Sequence, residues 1–209
     1  MPAPHRILVA MGTRPEVIKL APLVRALRER PERFQTVVCA TAQHRQMLDQ
    51  ALEVFDLKPD VDLDLMAPGQ DVFDVTSRVL LAMRGVLAEH APDVVVVQGD
   101  TTTAFAVALA AFYARRRVAH VEAGLRSWDK TQPFPEEINR ILASALTDYH
   151  FPPTAGARDN LLKAGFAEKD VVVTGNTVID ALYQALPRAR ALGGVPGLTL
   201  DPSRRLKPG

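Results

Sequence analysis

Asp93–Ala106 reads "DVVVVQGDTTTAFA", and this stretch decides the fold. Its valine run does not alternate with polar residues, as a strand open to water on one face would. It reads as a strand covered on both faces. Gly99 closes the run. The chain then passes through Thr101–Thr103 into Ala104–Ala114, which is almost wholly apolar. Strand, turn and buried helix in succession form the repeating unit of an α/β protein.

Working outward in both directions, the same alternation recurs. Strand-like runs lie at Arg6–Met11, Gln35–Thr41, a weaker Val61–Leu65, Val118–Glu122, Asp148–Phe151 and Val171–Thr174. Helical patterns separate them at Arg14–Arg30, Asp71–His90, Asp100–Arg116, Glu136–Leu146, Thr154–Ala164 and Asn176–Ala191. Asp71–His90 is the clearest, because Val72, Val75, Val79, Met83, Val86 and Leu87 fall on one stripe at helical spacing. Pro22 is expected to bend or split the first helix. Strands separated by helices imply a parallel sheet with right-handed crossovers and helices on both faces.

Composition narrows the function. The 209 residues are 47% hydrophobic and 23% charged, with 25 basic against 24 acidic side chains. No basic block points to nucleic acid or an anionic membrane. The longest apolar stretch, Ala104–Ala114, falls short of the ~20 residues of a membrane span, and no targeting segment is visible. The single cysteine, Cys39, sits in a strand-like run and reads as an inert core thiol, in keeping with a reducing cytoplasm. No G-x-G-x-x-G or Walker A pattern occurs. The five histidines lack metal-ligand spacing, and no serine sits in a nucleophile elbow.

In parallel sheets, ligands bind beyond the carboxyl ends of the strands. The polar residues that directly follow strands are therefore the candidates. In "MGTRPEVIK", Gly12 permits a turn, Pro15 suits a first helical turn, and the new helix N-terminus with Arg14 and Lys19 favours an anion. In "QGDTTTAFA", Asp100 either caps the following helix or faces a ligand. In "HVEAGLR", Glu122 has no capping role, so it must pair with a cation, for which Arg126 is at hand, or face a ligand. In "PFPEEINR", Glu136 and Glu137 open a helix where its dipole favours acids, and Arg140 can pair with either. Trp128 and Phe134 read as cover for the core. In "TAQHRQMLDQ", Gln43, His44 and Gln46 follow a strand end.

Taken in register, "GTRPEVIKLAPL", "TAQHRQMLDQ", "GDTTTAFA", "HVEAGLR", "PFPEEINR" and "TGNTVID" resemble the non-hydrolysing UDP-N-acetylglucosamine 2-epimerase family. The resemblance extends to "TGNTVIDAL". It implies a Rossmann-like domain over residues 1–190, the N-terminal half of a two-domain GT-B architecture, followed by a linker or tail over 191–209. The family's second half, which grips UDP, is expected to be missing from these residues, so that alone they fold without turning over substrate. The implied reaction is reversible epimerisation at C2 of UDP-N-acetylglucosamine to UDP-N-acetylmannosamine, by anti elimination of UDP and re-addition to 2-acetamidoglucal, with no redox cofactor and no metal. The resemblance assigns Asp100, Glu122 and Glu136 as catalytic carboxylates and Arg14 and Lys19 as substrate-binding cations. It assigns Gln43, His44, Gln46 and Gln70 to a second, allosteric substrate site, where Gly69 stands in place of an expected arginine. It also implies a cytoplasmic homodimer of the intact protein. A glycosyltransferase half and a non-catalytic binding module are the competing readings, since one fold serves all three.

Overall fold

The computed structural model describes residues 3–41, 45–65 and 67–191. Among these, six strands follow in chain order: β1 (His5–Met11), β2 (Phe34–Ala40), β3 (Val61–Asp62), β4 (Val94–Gln98), β5 (Arg117–Val121) and β6 (Tyr149–Phe151). The helices are α1 (Arg14–Arg28), α2 (Arg45–Val54), α3 (Val72–His90), α4 (Thr102–Tyr113), α5 (Glu136–Ala145), α6 (Ala155–Lys163) and α7 (Val178–Ala191). The strands form one sheet in the order β3-β2-β1-β4-β5-β6, and every neighbouring pair is parallel. The order reverses between β1 and β4. At such a switch point the flanking loops diverge and leave a crevice beyond the strand ends.

The valine run behaves as its composition predicts. Val95 and Val97 pack with Leu8 and Ala10 against α3 and α4. Val96 faces the other way, with Val9, Met11 and Ala119, against α1 and α2. Each fully buried valine of this kind contributes about 1.5–3 kcal/mol, which is why both faces of the run are apolar.

Several elements differ from expectation for identifiable reasons. Pro22 neither splits nor ends α1, which is helical throughout. The lost backbone bond is outweighed by Val17, Leu20 and Val24, all fully buried against the sheet. α4 begins at Thr102 rather than Asp100, because the Thr101 hydroxyl accepts from Ala104 N and caps it. Its burial fails at Phe112 and Tyr113, which are exposed. In α3, Asp71 is the cap and Val72 stays exposed, while the rest of the stripe is buried. β3 shrinks to two residues.

Val171–Thr174 forms no strand. Only Val171 bridges to His150, and Val172 and Val173 are exposed. Pro152 and Pro153 directly follow β6 and have no N–H to offer a longer ladder. α7 packs on α1, and its Arg188 donates to the Glu53 carbonyl of α2. It runs to Ala191, one residue beyond the expected domain limit; residues 192–209 of the expected tail lie outside the described residues. No described helix is long and apolar enough to cross a membrane.

Candidate active site

The exits of β1, β4 and β5 lie side by side, and the chain after each carries charge. At the β1 exit, Gly12 is required by close approach rather than by a turn. A Cβ there would lie 2.4 Å from Thr41 Oγ1 and 2.8 Å from Thr103 Oγ1. The N–H groups of Gly12 and Thr13 do not await an external anion. Both donate to Glu16 Oε2, at 2.8 and 2.7 Å. Glu16 Oε1 accepts from the Thr101 hydroxyl at 2.7 Å, so this carboxylate ties the β1–α1 turn to the β4–α4 turn. Burial pushes its carboxyl pKa up, against the opposing pull of Thr101 and the two backbone donors.

At the β4 exit, Asp100 is not a helix cap. Its carboxylate pairs with the Arg140 guanidinium of α5, and its carbonyl accepts from Asn139 Nδ2 at 2.9 Å. The first two turns of α5 are thereby fastened over β4. Arg140 also reaches Glu137 at 3.3 Å. Glu137 is buried and accepts from Arg126 Nε at 2.7 Å, Ser127 N at 3.0 Å and Trp128 N at 3.2 Å. Burial pushes the Glu137 carboxyl up, but the Ser127 amide and the Arg126 guanidinium outweigh it and hold it below the usual range. Glu137 thus organises the loop, and Arg126 is its partner.

Glu122, one residue beyond β5, has a left-handed backbone with φ of +65°. Non-glycine residues held there cost about 1–3 kcal/mol and gather at functional sites. Its N–H donates to the Phe151 carbonyl at 3.0 Å. Its cation is not Arg126 but Lys19, whose Nζ lies 2.5 Å from Oε2. Gln98 Nε2 donates to the same oxygen at 2.5 Å, and Asn176 Nδ2 to Oε1 at 2.9 Å. Beneath, His120 Nε2 lies 2.7 Å from the Gly99 carbonyl. A carbonyl can only accept, so Nε2 carries a hydrogen and donates to it, and burial lowers the pKa of the ring.

Glu136 starts α5 half-buried, and its Oε2 is enclosed without a hydrogen-bond partner. The structure therefore brings Asp100, Glu122 and Lys19 to adjacent strand ends, with Glu136 on the helix clamped above Asp100. Arg14 is exposed and lines an apolar hollow of about 410 Å³ between α1, α2 and α7. Among the described residues no ion pair joins it to the carboxylates. Gln46 is exposed on α2, and Gln70 Oε1 accepts from Ala67 N at 2.9 Å. Gln43 and His44 lie outside the described residues. Trp128 and Phe134 do not cover the core. They are 55% and 72% exposed, and Trp128 stacks under Arg126 and Lys163. No group of three or more His, Cys, Asp or Glu among the described residues is placed to hold a metal ion.

The sequence alone does not mark Glu16, Gln98 or Glu137 as functional residues. Glu16 and Glu137 look like ordinary first-turn acids, and Gln98 like the end of a strand. For Gln98 the available signal was Asp100 two residues on, and for Glu137 it was the adjacent Glu136 and the nearby Arg140; the local sequence around Glu16 offers no such signal.

Comparison with known proteins identifies the family and the fold. Residues 25–196 match the family model described as UDP-N-acetylglucosamine 2-epimerase. This chain belongs to that family. It is 54% identical over 177 residues to the UDP-N-acetylglucosamine 2-epimerase of Escherichia coli K12, covering 85% of this chain and 47% of the relative. The UDP-GlcNAc 2-epimerase of Neisseria meningitidis, solved bound to UDP-GlcNAc, superposes with a TM-score of 0.85 at 46% identity, covering 88% of this chain and 50% of that one. The Methanocaldococcus jannaschii enzyme, solved with UDP-GlcNAc and UDP, gives 0.82 at 40% identity over 88% and 50%. The chain thus spans about half the length of the epimerases it matches, and its Rossmann-like sheet corresponds to the N-terminal half of their GT-B fold.

Proposed function

We propose that these residues form the sugar-facing half of a non-hydrolysing epimerase site that interconverts UDP-N-acetylglucosamine and UDP-N-acetylmannosamine. The observation that carries the reading is the placement of Asp100, Glu122 and Glu136 around adjacent strand exits, each in a different state of pairing. Asp100 is held by Arg140 and Glu122 by Lys19, while Glu136 keeps an oxygen without a partner.

Inverting C2 requires removing a proton from one face of the ring and delivering one to the other. The C2–H bond is weakly acidic, so loss of the proton is coupled to loss of UDP. A carboxylate takes the C2 proton, the C2–H electron pair forms the C1=C2 bond of 2-acetamidoglucal, and the C1–O bond breaks with its electrons on UDP. In the return step a UDP oxygen attacks C1, and a protonated carboxyl delivers a proton to C2 from the opposite face. Two carboxylates serve as acceptor and donor. A third stabilises positive charge developing at C1, as in glycoside hydrolysis. Lys19 balances the negative charge of Glu122, and Arg14, exposed in the first turn of α1, supplies a cation for the diphosphate.

The test is steady-state kinetics in the whole epimerase. Glu122→Gln and Glu136→Gln each lower kcat by roughly 10²- to 10⁴-fold, the scale of a general acid or base, with the fold intact by circular dichroism. Near-normal turnover at saturating substrate in either variant removes that residue from the proton-transfer pair.

A further inference from the structure

We infer that Asn176 and Gln98 are positioning residues for Glu122, each holding one of its carboxylate oxygens so that the group points in a single direction. The inference rests on the reading of Glu122 as a proton-transfer group. Gln98 closes β4 and is almost wholly buried, and its amide nitrogen donates to Oε2 at 2.5 Å. Asn176 comes from the segment leading into α7, and its amide nitrogen donates to Oε1 at 2.9 Å.

The orientation of Asn176 is not free. Its side-chain oxygen accepts from Val178 N at 3.0 Å. Flipping the amide would turn a nitrogen toward that N–H and an oxygen toward the carboxylate, losing both bonds. Glu122 starts from a left-handed backbone, and its side chain is only 11% exposed. Without these donors a carboxylate in that setting rotates to recover hydrogen bonds. A proton acceptor displaced by about 1 Å forfeits much of its rate advantage. The charged and titratable groups acting on Glu122 are Lys19 from α1, which pairs with it, and His120 from β5, whose ring also feels the Asp100–Arg140 pair.

Asn176→Asp gives a discriminating test. It keeps the oxygen that accepts from Val178 N, so the local turn survives, but places a second carboxylate against Glu122 Oε1. Two carboxylates at that distance retain a proton between them to higher pH. In the whole epimerase, kcat of Asn176→Asp falls about 10- to 100-fold at neutral pH, and the acid limb of its pH profile moves up by about one pH unit or more. Asn176→Ala removes the donor without adding charge. It lowers kcat about 10-fold with KM within about 3-fold and leaves that limb in place. Glu122→Gln is measured alongside.

Wild-type kcat in both Asn176 variants, equal losses in both with no pH shift, or a loss confined to KM each overturns the positioning role while a crippled Glu122→Gln leaves the proposed function standing. A Glu122→Gln enzyme of normal activity overturns the function and this inference together.

Discussion

Burial sets how the side chains of the sheet titrate, and His150 offers the sharpest consequence. It is fully buried at the centre of β6, beside Phe166 at 4.6 Å and opposite His120 in register. Burial first, and His120 second, push its pKa down to about 4. Above pH 6.5 the ring is neutral both folded and unfolded. As pH falls from about 6.5 to 4 the unfolded chain takes up a proton that the folded chain does not, so stability drains away by about 3 kcal/mol over that window. His150→Gln removes this dependence, and urea midpoints measured at pH 7 and pH 5 differ less in the variant. Equal pH sensitivity in the two proteins contradicts the assignment. Cys39 is governed by the same physics: burial pushes its thiol up to about 12, so the expectation of an inert core thiol agrees with its surroundings. The residues of the site were legible in kind but not in partnership. Glu122 stood out because nothing local explained a carboxylate there, and Arg126 was the nearest cation in sequence. The cation in space is Lys19, 103 residues away, and local spacing carries no trace of such a pairing.

At the scale of elements, the loop after β5 depends on how α6 is seated. Gly124 has φ of +83°, and a Cβ on it would lie 2.2 Å from the Ala157 carbonyl and 2.9 Å from Leu161 Cγ. Asn160 Nδ2 donates to the Gly124 carbonyl at 3.0 Å, so helix and loop are fastened face to face. Gly124→Ala combines an unfavourable φ with a clash against backbone that cannot rotate away, and costs about 2–4 kcal/mol. Denaturant unfolding measures it; a change below about 0.5 kcal/mol means α6 is not packed this closely. Element existence was readable wherever the pattern was strong, from the helical stripe of Val72–His90 or the unbroken β-branched run of Val94–Gln98. The failures have local chemical causes. Thr101 took the cap that Asp100 was a candidate for, and Pro152 and Pro153 denied β6 the donors that a strand at Val171–Thr174 needed.

At the scale of the whole molecule, alternation of strand and helix was enough to imply a parallel sheet, and the six motifs in register pointed to the family that residues 25–196 match. Sheet order, and with it the side-by-side placement of the β1, β4 and β5 exits, needed the structure, because crossover lengths do not say on which side of β1 the chain returns. That placement underlies the proposal that carboxylates from separate segments move a proton at C2. The measurement closest to it is solvent exchange. The whole epimerase is incubated with UDP-N-acetylglucosamine in deuterated water, and C2 is followed by proton NMR. Deuterium is expected at C2 of the UDP-N-acetylmannosamine formed and of the recovered substrate, with exchange slowed at least about 100-fold by Glu122→Gln. Product that retains protium at C2, or exchange at an undiminished rate in Glu122→Gln, contradicts it.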